Sequence, residues 1–158
     1  MLAGCALTIQ LAVADEPAAP STAAPTEVPG DLGGAQKVIA DALNLIGIRY
    51  RRGGGDADTG FDCSGFVGYV FHDALGLVLP RTSREISRTG EPVEKSELKP
   101  GDLVFFRTMR HAFSHVGIYL GDNQFVHAPR SGYAVRIEDL RARYWANRYN
   151  GARRIDGR

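Results

Sequence analysis

The sequence contains little cysteine and little net charge. Two of its 158 residues are cysteine, and the formal net charge at pH 7 is +1. A disulfide between Cys5 and Cys63 would close a loop through a proline-rich stretch and would stabilise little of the core. The near-neutral charge gives no whole-molecule reason to expect nucleic-acid binding. We therefore expect Cys63 to be a free thiol and expect no nucleic-acid partner.

Long apolar runs and several well-known motifs are also missing. No segment reaches the roughly 20 apolar residues that a helix needs to span a bilayer. The sequence contains no HExxH or CxxC pattern of the kind that marks many zinc sites. The Gly-rich stretch at residues 50–60 lacks the Gly-Lys-Ser/Thr ending of a phosphate-binding loop, so it does not indicate nucleotide binding.

Residues 1–33 are not expected to belong to the folded domain. Residues 16–33 are rich in proline and alanine, a composition typical of a flexible tether. Before them, in a signal remnant at residues 1–15, the stretch LAGC resembles a bacterial lipoprotein box, in which Cys5 would carry lipid and anchor the chain to a membrane. Two alternatives stay open: a secretory signal cleaved after AVA at residues 12–14, and a disordered apolar N-terminus.

Residues 34–158 are expected to form one domain that begins with helices. Apolar residues at helical spacing predict a first helix within residues 34–47, with Gly47 as the C′ residue just past its end. A second helix is predicted to begin near Cys63, with Asp62 as its N-cap, and to end at Gly76.

After a short third helix in RTSREISR, capped by Thr82 or Ser83, the apolar period changes from helical to two. Five short strands are predicted in the stretches DLVFF, HVGIYL, QFVHA, YAVRI and ARRI. Helices followed by antiparallel strands indicate the α+β class.

Cys63 is placed for chemistry rather than for packing. In the first turn of a helix, the dipole and the free backbone N–H groups favour an anion, so we expect the thiol pKa to be lowered into a range of about 3.5–7.5. The same N–H groups are suited to hold an oxyanion. Ser64 is an alternative nucleophile, but serine depends more strongly on an adjacent base. We therefore interpret Cys63 as the nucleophile.

A cysteine nucleophile needs a base and a group that orients the base. Among the four histidines, His72 is predicted on the surface of the second helix and His111 in a loop. His115 and His127 fall in consecutive predicted strands and are the candidate base and orienting residue.

The two histidines can meet only if they share a face of the sheet. In a regular antiparallel pair this requires opposed residue numbers to add to an even total. We therefore predict a three-residue loop at residues 121–123, which pairs Leu120 with Gln124 and sets Gly117 opposite His127. Three apolar residues are predicted on the other face: Val116, Ile118 and Val126.

Five stretches together carry a family resemblance: FDCSGFVGYVF, LPRTS, LKPGDLVFF, SHVGIYLGDNQFVHA and YWANRYNGARRI. In their order and spacing they resemble the NlpC-type cell-wall cysteine peptidases, a papain-like group, and within it the MepS/Spr-like murein endopeptidases, which are outer-membrane lipoproteins. The resemblance runs from residue 36 to residue 155. It implies a papain-like α+β fold, in which a helix with the nucleophile at its N-terminus packs on a small antiparallel sheet.

The resemblance also implies roles for individual residues. Cys63 matches the nucleophile, His115 the base and His127 the residue that orients the base. Four residues are implied or possible contributors to the oxyanion or substrate site: Tyr50, Asp62, Ser64 and Ser83. The implied reaction is hydrolysis of peptide or isopeptide bonds next to diaminopimelate in peptidoglycan stem peptides. It takes place in the periplasm and needs no metal or other cofactor.

Two other classes of function stay open at the level of sequence. Cys63, His115 and His127 could be zinc ligands in a metal-dependent amide hydrolase. Alternatively, the domain could be a wall-binding module without catalysis, although such a module has no need of all three residues. For an enzyme, D-Ala–diaminopimelate crosslinks and γ-D-Glu–diaminopimelate links are both within the range that the resemblance implies.

Overall fold

The structure is a computed structural model and describes residues 33–156. The predicted signal, the lipid site at Cys5 and nearly all of the tether lie outside the described residues. The helices are α1 Gly34–Asn44, α2 Cys63–Leu75, α3 Ser83–Ile86 and α4 Arg143–Ala146. The strands are β1 Gly55–Asp56, β2 Gly60–Phe61, β3 Glu91–Pro92, β4 Leu103–Phe106, β5 His115–Gly121, β6 Gln124–His127, β7 Arg136–Asp139 and β8 Tyr149–Arg154.

The strands form a two-stranded hairpin and a six-stranded sheet. The hairpin pairs β1 with β2, and the sheet has the order β3-β8-β4-β5-β6-β7 with antiparallel neighbours throughout. Helices α1 and α2 precede this sheet in the chain, which confirms the predicted α+β class. None of the helices in the described part combines the length and the apolar character that crossing a bilayer requires.

Helix α2 begins and ends as its sequence predicts. The Asp62 carboxylate accepts a hydrogen bond from the Gly65 N–H at 2.7 Å, and Gly76 ends the helix in the left-handed region with φ at 68°. The apolar face of α2 packs on the sheet in one core cluster, which includes Phe66, Val67, Val70, Val116, Ile118 and Val126. A second cluster, built around Phe106, Phe125 and Trp145, also packs against the sheet.

Helix α1 is shorter than predicted. It ends at Asn44, with Leu45 as its C-cap, rather than directly before Gly47, and Ile46 is 44% exposed. The reason is that the Gly47 N–H donates to the carbonyl oxygen of Val135 at 3.0 Å, so the chain leaves the helix to pair with a distant segment. The same pairing shifts the strand predicted in YAVRI to Arg136–Asp139.

The turn between β5 and β6 differs from the prediction, but the register that it was meant to ensure is present. Gly121 pairs with Gln124, so the turn contains two residues, Asp122 and Asn123, and the predicted three-residue loop is wrong. Both turn residues have positive φ, 51° and 61°, as tight hairpin turns require.

A bulge between Tyr119 and Gly121 absorbs the residue that the turn leaves over. Beyond the bulge, Tyr119 pairs with Phe125 and Ile118 with Val126, both with the even total that brings His115 and His127 to one face.

Candidate active site

The start of α2 is held in place from behind by an ion pair. Arg81 donates to both carboxylate oxygens of Asp62, at 3.0 and 2.8 Å, and to the Ser64 hydroxyl at 2.9 Å. A Cβ at Gly65 would clash with the carbonyl oxygen of Gly54, so the helix start packs directly on the backbone of the Gly-rich loop. Asp62 and Ser64 are thus engaged in fixing the first turn, and neither lines the cavity in front of it.

Ser83 also lies away from the cavity. It is buried, and its hydroxyl donates to the carbonyl oxygen of Phe113 at 2.7 Å. Phe113 has a positive φ of 54° and lies two residues before His115. Ser83 therefore holds the loop that leads into β5, a contact that α3 and its Thr82 cap make possible.

A cavity of about 550 Å³ opens in front of Cys63. His115 lines it together with the thiol, and Tyr50 forms part of its wall. Further lining residues come from the segment after β6 and from α4, and they include Arg130, Tyr133, Arg136, Glu138, Tyr144 and Trp145. The structure thus brings three of the candidate residues, Tyr50, Cys63 and His115, to one cavity.

His127 contacts His115 from behind. Nε2 of His115 and Nδ1 of His127 are 2.7 Å apart, and both rings are buried. Gly117 makes this meeting possible, because a Cβ there would lie 2.8 Å from the Phe125 ring and 3.2 Å from the Cβ of His127. Since Nε2 of His115 is engaged, its Nδ1 is the nitrogen left for the thiol.

Trp145 supports both imidazoles. Its ring stacks on His115 with centroids 5.6 Å apart and lies perpendicular to His127 at 4.9 Å. For Nδ1 of His115 to accept a proton, its Nε2 must carry hydrogen and donate to Nδ1 of His127. His127 then carries its own hydrogen on Nε2, which is buried and has no hydrogen-bond partner in the described part of the chain. The Trp145 ring lies perpendicular to that imidazole, and an aromatic face is a weak but real acceptor for an N–H.

The expectation of a lowered thiol pKa is wrong. Burial, and next the Asp62 carboxylate, raise the pKa of Cys63 to about 11. Backbone N–H groups of Val116, Ser64 and Cys63 itself act in the opposite direction but do not compensate. Burial also lowers the pKa of His115 to about 4. Near neutral pH Cys63 is therefore a neutral thiol and His115 a neutral imidazole.

Tyr50 is suited to donate a hydrogen bond in the cavity. Burial, followed by the proximity of Cys63 and Asp62, raises the pKa of its hydroxyl, so the proton is retained. The other two histidines lie on the surface as predicted, His72 on α2 and His111 in the loop before β5. Sequence reasoning missed Arg81 and Trp145, although Arg81 stands in the LPRTS stretch and Trp145 is the single tryptophan.

The zinc alternative has no ligand set in the part of the chain that the structure describes. Across residues 33–156, no group of three or more His, Cys, Asp or Glu side chains is arranged to hold a metal ion. His115 and His127 instead bond to each other through their ring nitrogens.

A thiol in the first turn of a helix, a strand imidazole and a second imidazole behind it, on a scaffold of helices and an antiparallel sheet, define a papain-like protein. The chain belongs to the NlpC/P60 family, whose model matches residues 47–154. This confirms the family that the sequence motifs indicated.

Two curated relatives come from Escherichia coli strain K12. The chain is 48% identical over 127 residues to murein DD-endopeptidase MepH, a match that covers 76% of this chain and 47% of MepH. It is also 48% identical over 119 residues to murein DD-endopeptidase MepS/murein LD-carboxypeptidase, covering 75% of this chain and 62% of the relative. The chain thus spans less than two thirds of the length of either relative.

A solved structure of an NlpC/P60 family protein from Bacillus cereus has the same fold. Its TM-score is 0.71 at 35% sequence identity, and the match covers 76% of this chain and 39% of the other.

Proposed function

We propose that the domain is a cysteine-type endopeptidase that hydrolyses amide bonds next to diaminopimelate in peptidoglycan stem peptides. The observation that carries this proposal is the row of Cys63, His115 and His127, with the first two in one cavity and the two imidazoles joined at 2.7 Å. The names of MepH and MepS support murein as the substrate. Their DD-endopeptidase designation favours the D-Ala–diaminopimelate crosslink over the γ-D-Glu–diaminopimelate link.

The proposed reaction begins from the neutral pair. The Cys63 sulfur attacks the carbonyl carbon as its proton passes to Nδ1 of His115, and His127 orients the resulting imidazolium. The oxyanion is held by backbone N–H groups at the start of α2 and by the Tyr50 hydroxyl. The tetrahedral intermediate expels the amine, which takes the proton from His115, and leaves a thioester on Cys63. Water, activated by His115, then hydrolyses the thioester and restores the thiol.

The decisive test is mass spectrometry of purified muropeptides after incubation with the domain. Cys63→Ser should abolish cleavage and leave the fold intact, because the change in size is small. His72→Gln, an exposed histidine outside the site, should cleave at the wild-type rate. Iodoacetamide should inactivate the enzyme in proportion to the fraction of Cys63 that it has modified, and the raised pKa of the thiol makes that reaction slow near neutral pH. A chelator should leave the activity unchanged.

Three results would contradict the proposal. Near-wild-type cleavage by Cys63→Ser, or full activity of a sample in which mass spectrometry shows Cys63 to be fully alkylated, would exclude a thiol mechanism. Loss of activity with a chelator would favour the zinc hydrolase. Binding of muropeptides without turnover would favour the wall-binding module.

We also propose that Cys5 carries lipid and that the following proline-rich segment is a tether, so that the domain works outside the cytoplasm, anchored to the outer membrane from the periplasmic side. The cell-wall activity named for the relatives supports an extracytoplasmic location. Cys5→Ser should release the protein from membranes without changing its activity on soluble fragments. A mature N-terminus at Asp15, or an unmodified Met1, would rule this anchoring out.

A further inference from the structure

Two arginines surround one tyrosine on a wall of the active-site cavity. The guanidinium carbon of Arg130 lies 4.9 Å from the centroid of the Tyr133 ring, and that of Arg136 lies 5.8 Å from the same ring. Arg130 also donates to the Tyr133 hydroxyl at 3.3 Å. All three residues line the cavity that contains Cys63. The ring therefore holds two like charges on the wall of this cavity, at distances typical of cation–π contacts.

The wall is only partly neutralised. Glu138 pairs with Arg136 through Nε at 2.9 Å, and it is the one carboxylate among the described residues that line the cavity. The closest contact of that ion pair is made by Nε of Arg136. Arg130 bonds to a phenol oxygen rather than to a carboxylate. Two guanidinium groups against one carboxylate leave this wall with a formal charge of +1.

We infer that Arg130 and Arg136 form a subsite for a free carboxylate of the stem peptide, an inference that rests on the proposed function. A guanidinium presents parallel N–H donors that match the two oxygens of a carboxylate, and such charge-assisted pairs give both affinity and orientation. Tyr133 holds both cations in place before the substrate arrives, which lowers the entropy lost on binding.

Stem peptides offer this chemistry from more than one position. A γ-linked glutamate keeps its α-carboxylate, diaminopimelate has a second carboxylate, and an uncrosslinked stem ends in a terminal carboxylate. Each of the three is a carboxylate and presents two oxygens to the subsite. Replacing each in turn by a carboxamide keeps the shape of the group and removes its charge, so the three sources can be told apart.

The test compares kcat/KM for muropeptide fragments that differ only in one carboxylate or carboxamide. Wild type should prefer the fragment with the recognised carboxylate. Arg130→Gln and Arg136→Gln should each lower kcat/KM for that fragment roughly 10-fold to 100-fold, mainly through KM, as loss of a charge-assisted contact predicts. For the corresponding carboxamide the variants should differ little from wild type, so the preference for the acid collapses.

Two further variants separate recognition of the carboxylate from other effects. Arg141→Gln removes an exposed arginine that pairs with Asp139 outside the cavity, and it should keep the wild-type preference. Arg136 lies opposite His127 in the sheet, and its charge helps to lower the pKa of that imidazole. Arg136→Lys keeps the charge but lacks the parallel N–H donors of a guanidinium. It should therefore retain the wild-type pH profile and still lose most of the preference for the carboxylate over the carboxamide fragment.

The outcomes distinguish this inference from the proposed function. If wild type cleaves the fragments but both glutamine variants keep its acid-over-amide preference, or if no amidation affects wild type, the subsite is refuted and the endopeptidase stands. If Cys63→Ser cleaves like wild type, or wild type cleaves none of the fragments, the proposed function fails and the subsite with it.

Discussion

Acidification from pH 7 to pH 4.5 should destabilise the folded domain because two of its histidines are buried and uncharged. Burial lowers the pKa of His115 from an ordinary value of 6.5 to about 4, and it also lowers the pKa of His127. In the unfolded chain both imidazoles take up protons near pH 6.5, whereas in the folded domain they stay neutral to lower pH. The stability that they contribute is therefore present above pH 6.5 and lost as the pH falls toward 4.

The size of this effect follows from the two pKa values of His115. At about 1.4 kcal/mol for each tenfold change in proton affinity, the difference between 6.5 and about 4 amounts to roughly 3 kcal/mol when fully expressed. Most of that should already be lost at pH 4.5, so we expect His115 alone to account for roughly 2 to 3 kcal/mol. Typical domains have free energies of unfolding of about 5–15 kcal/mol, so the loss is readily measured.

Urea denaturation at a series of pH values measures this loss. The single tryptophan, Trp145, packs against both histidines and reports unfolding by its fluorescence. His115→Gln should flatten the decline in unfolding free energy between pH 7 and pH 4.5. His72→Gln, which removes an exposed histidine, should leave the decline unchanged. A wild-type free energy that is constant over this interval, or the same decline in His115→Gln, would refute the reasoning.

The surroundings of the histidine pair give two further predictions. Gly117→Ala should lower kcat at least about 10-fold and the unfolding free energy by roughly 1–3 kcal/mol, because the new Cβ meets the Phe125 ring. Gly68→Ala on α2, where a Cβ meets nothing within 4 Å, should leave both kcat and the unfolding free energy unchanged. Trp145→Leu should lower kcat more than Trp145→Phe does. It should also shift the nitrogen NMR signals of His127 away from those of the Nε2–H tautomer. Unchanged signals in the leucine variant would contradict a role of the indole as acceptor for the His127 N–H.

The parts of the molecule that were predictable from sequence depend on neighbours in the chain. The cap at Asp62 and the end of α2 at Gly76 are local events within one helix, and the sequence contains all of their causes. Arg81 contacts Asp62 from 19 residues away in the sequence, and no periodic pattern predicts such a contact between two loops. Trp145 joins the histidines from a four-residue helix that is too short to leave a pattern.

The pKa of Cys63 was mispredicted because it, too, depends on residues that are distant in the sequence. The helix start does direct N–H groups toward Cys63, as local reasoning indicates, and these do favour the thiolate. The larger effect is burial by the rest of the fold, which no stretch around Cys63 reveals.

The prediction of the β5–β6 turn was wrong for a different reason. The argument on even totals assumed an uninterrupted ladder, while the chain combines a two-residue turn with a bulge and reaches the same facing of His115 and His127.

The high pKa of Cys63 also bears on the chemical survival of the enzyme. Peroxides, disulfides and alkylating agents react with thiolates far faster than with thiols. A sulfur whose pKa is raised to about 11 is therefore a poor target for oxidation. In the proposed mechanism it becomes a strong nucleophile only as His115 removes its proton during attack on a bound carbonyl. In that mechanism reactivity arises only in the presence of substrate, so the sulfur is protected from oxidants between turnovers.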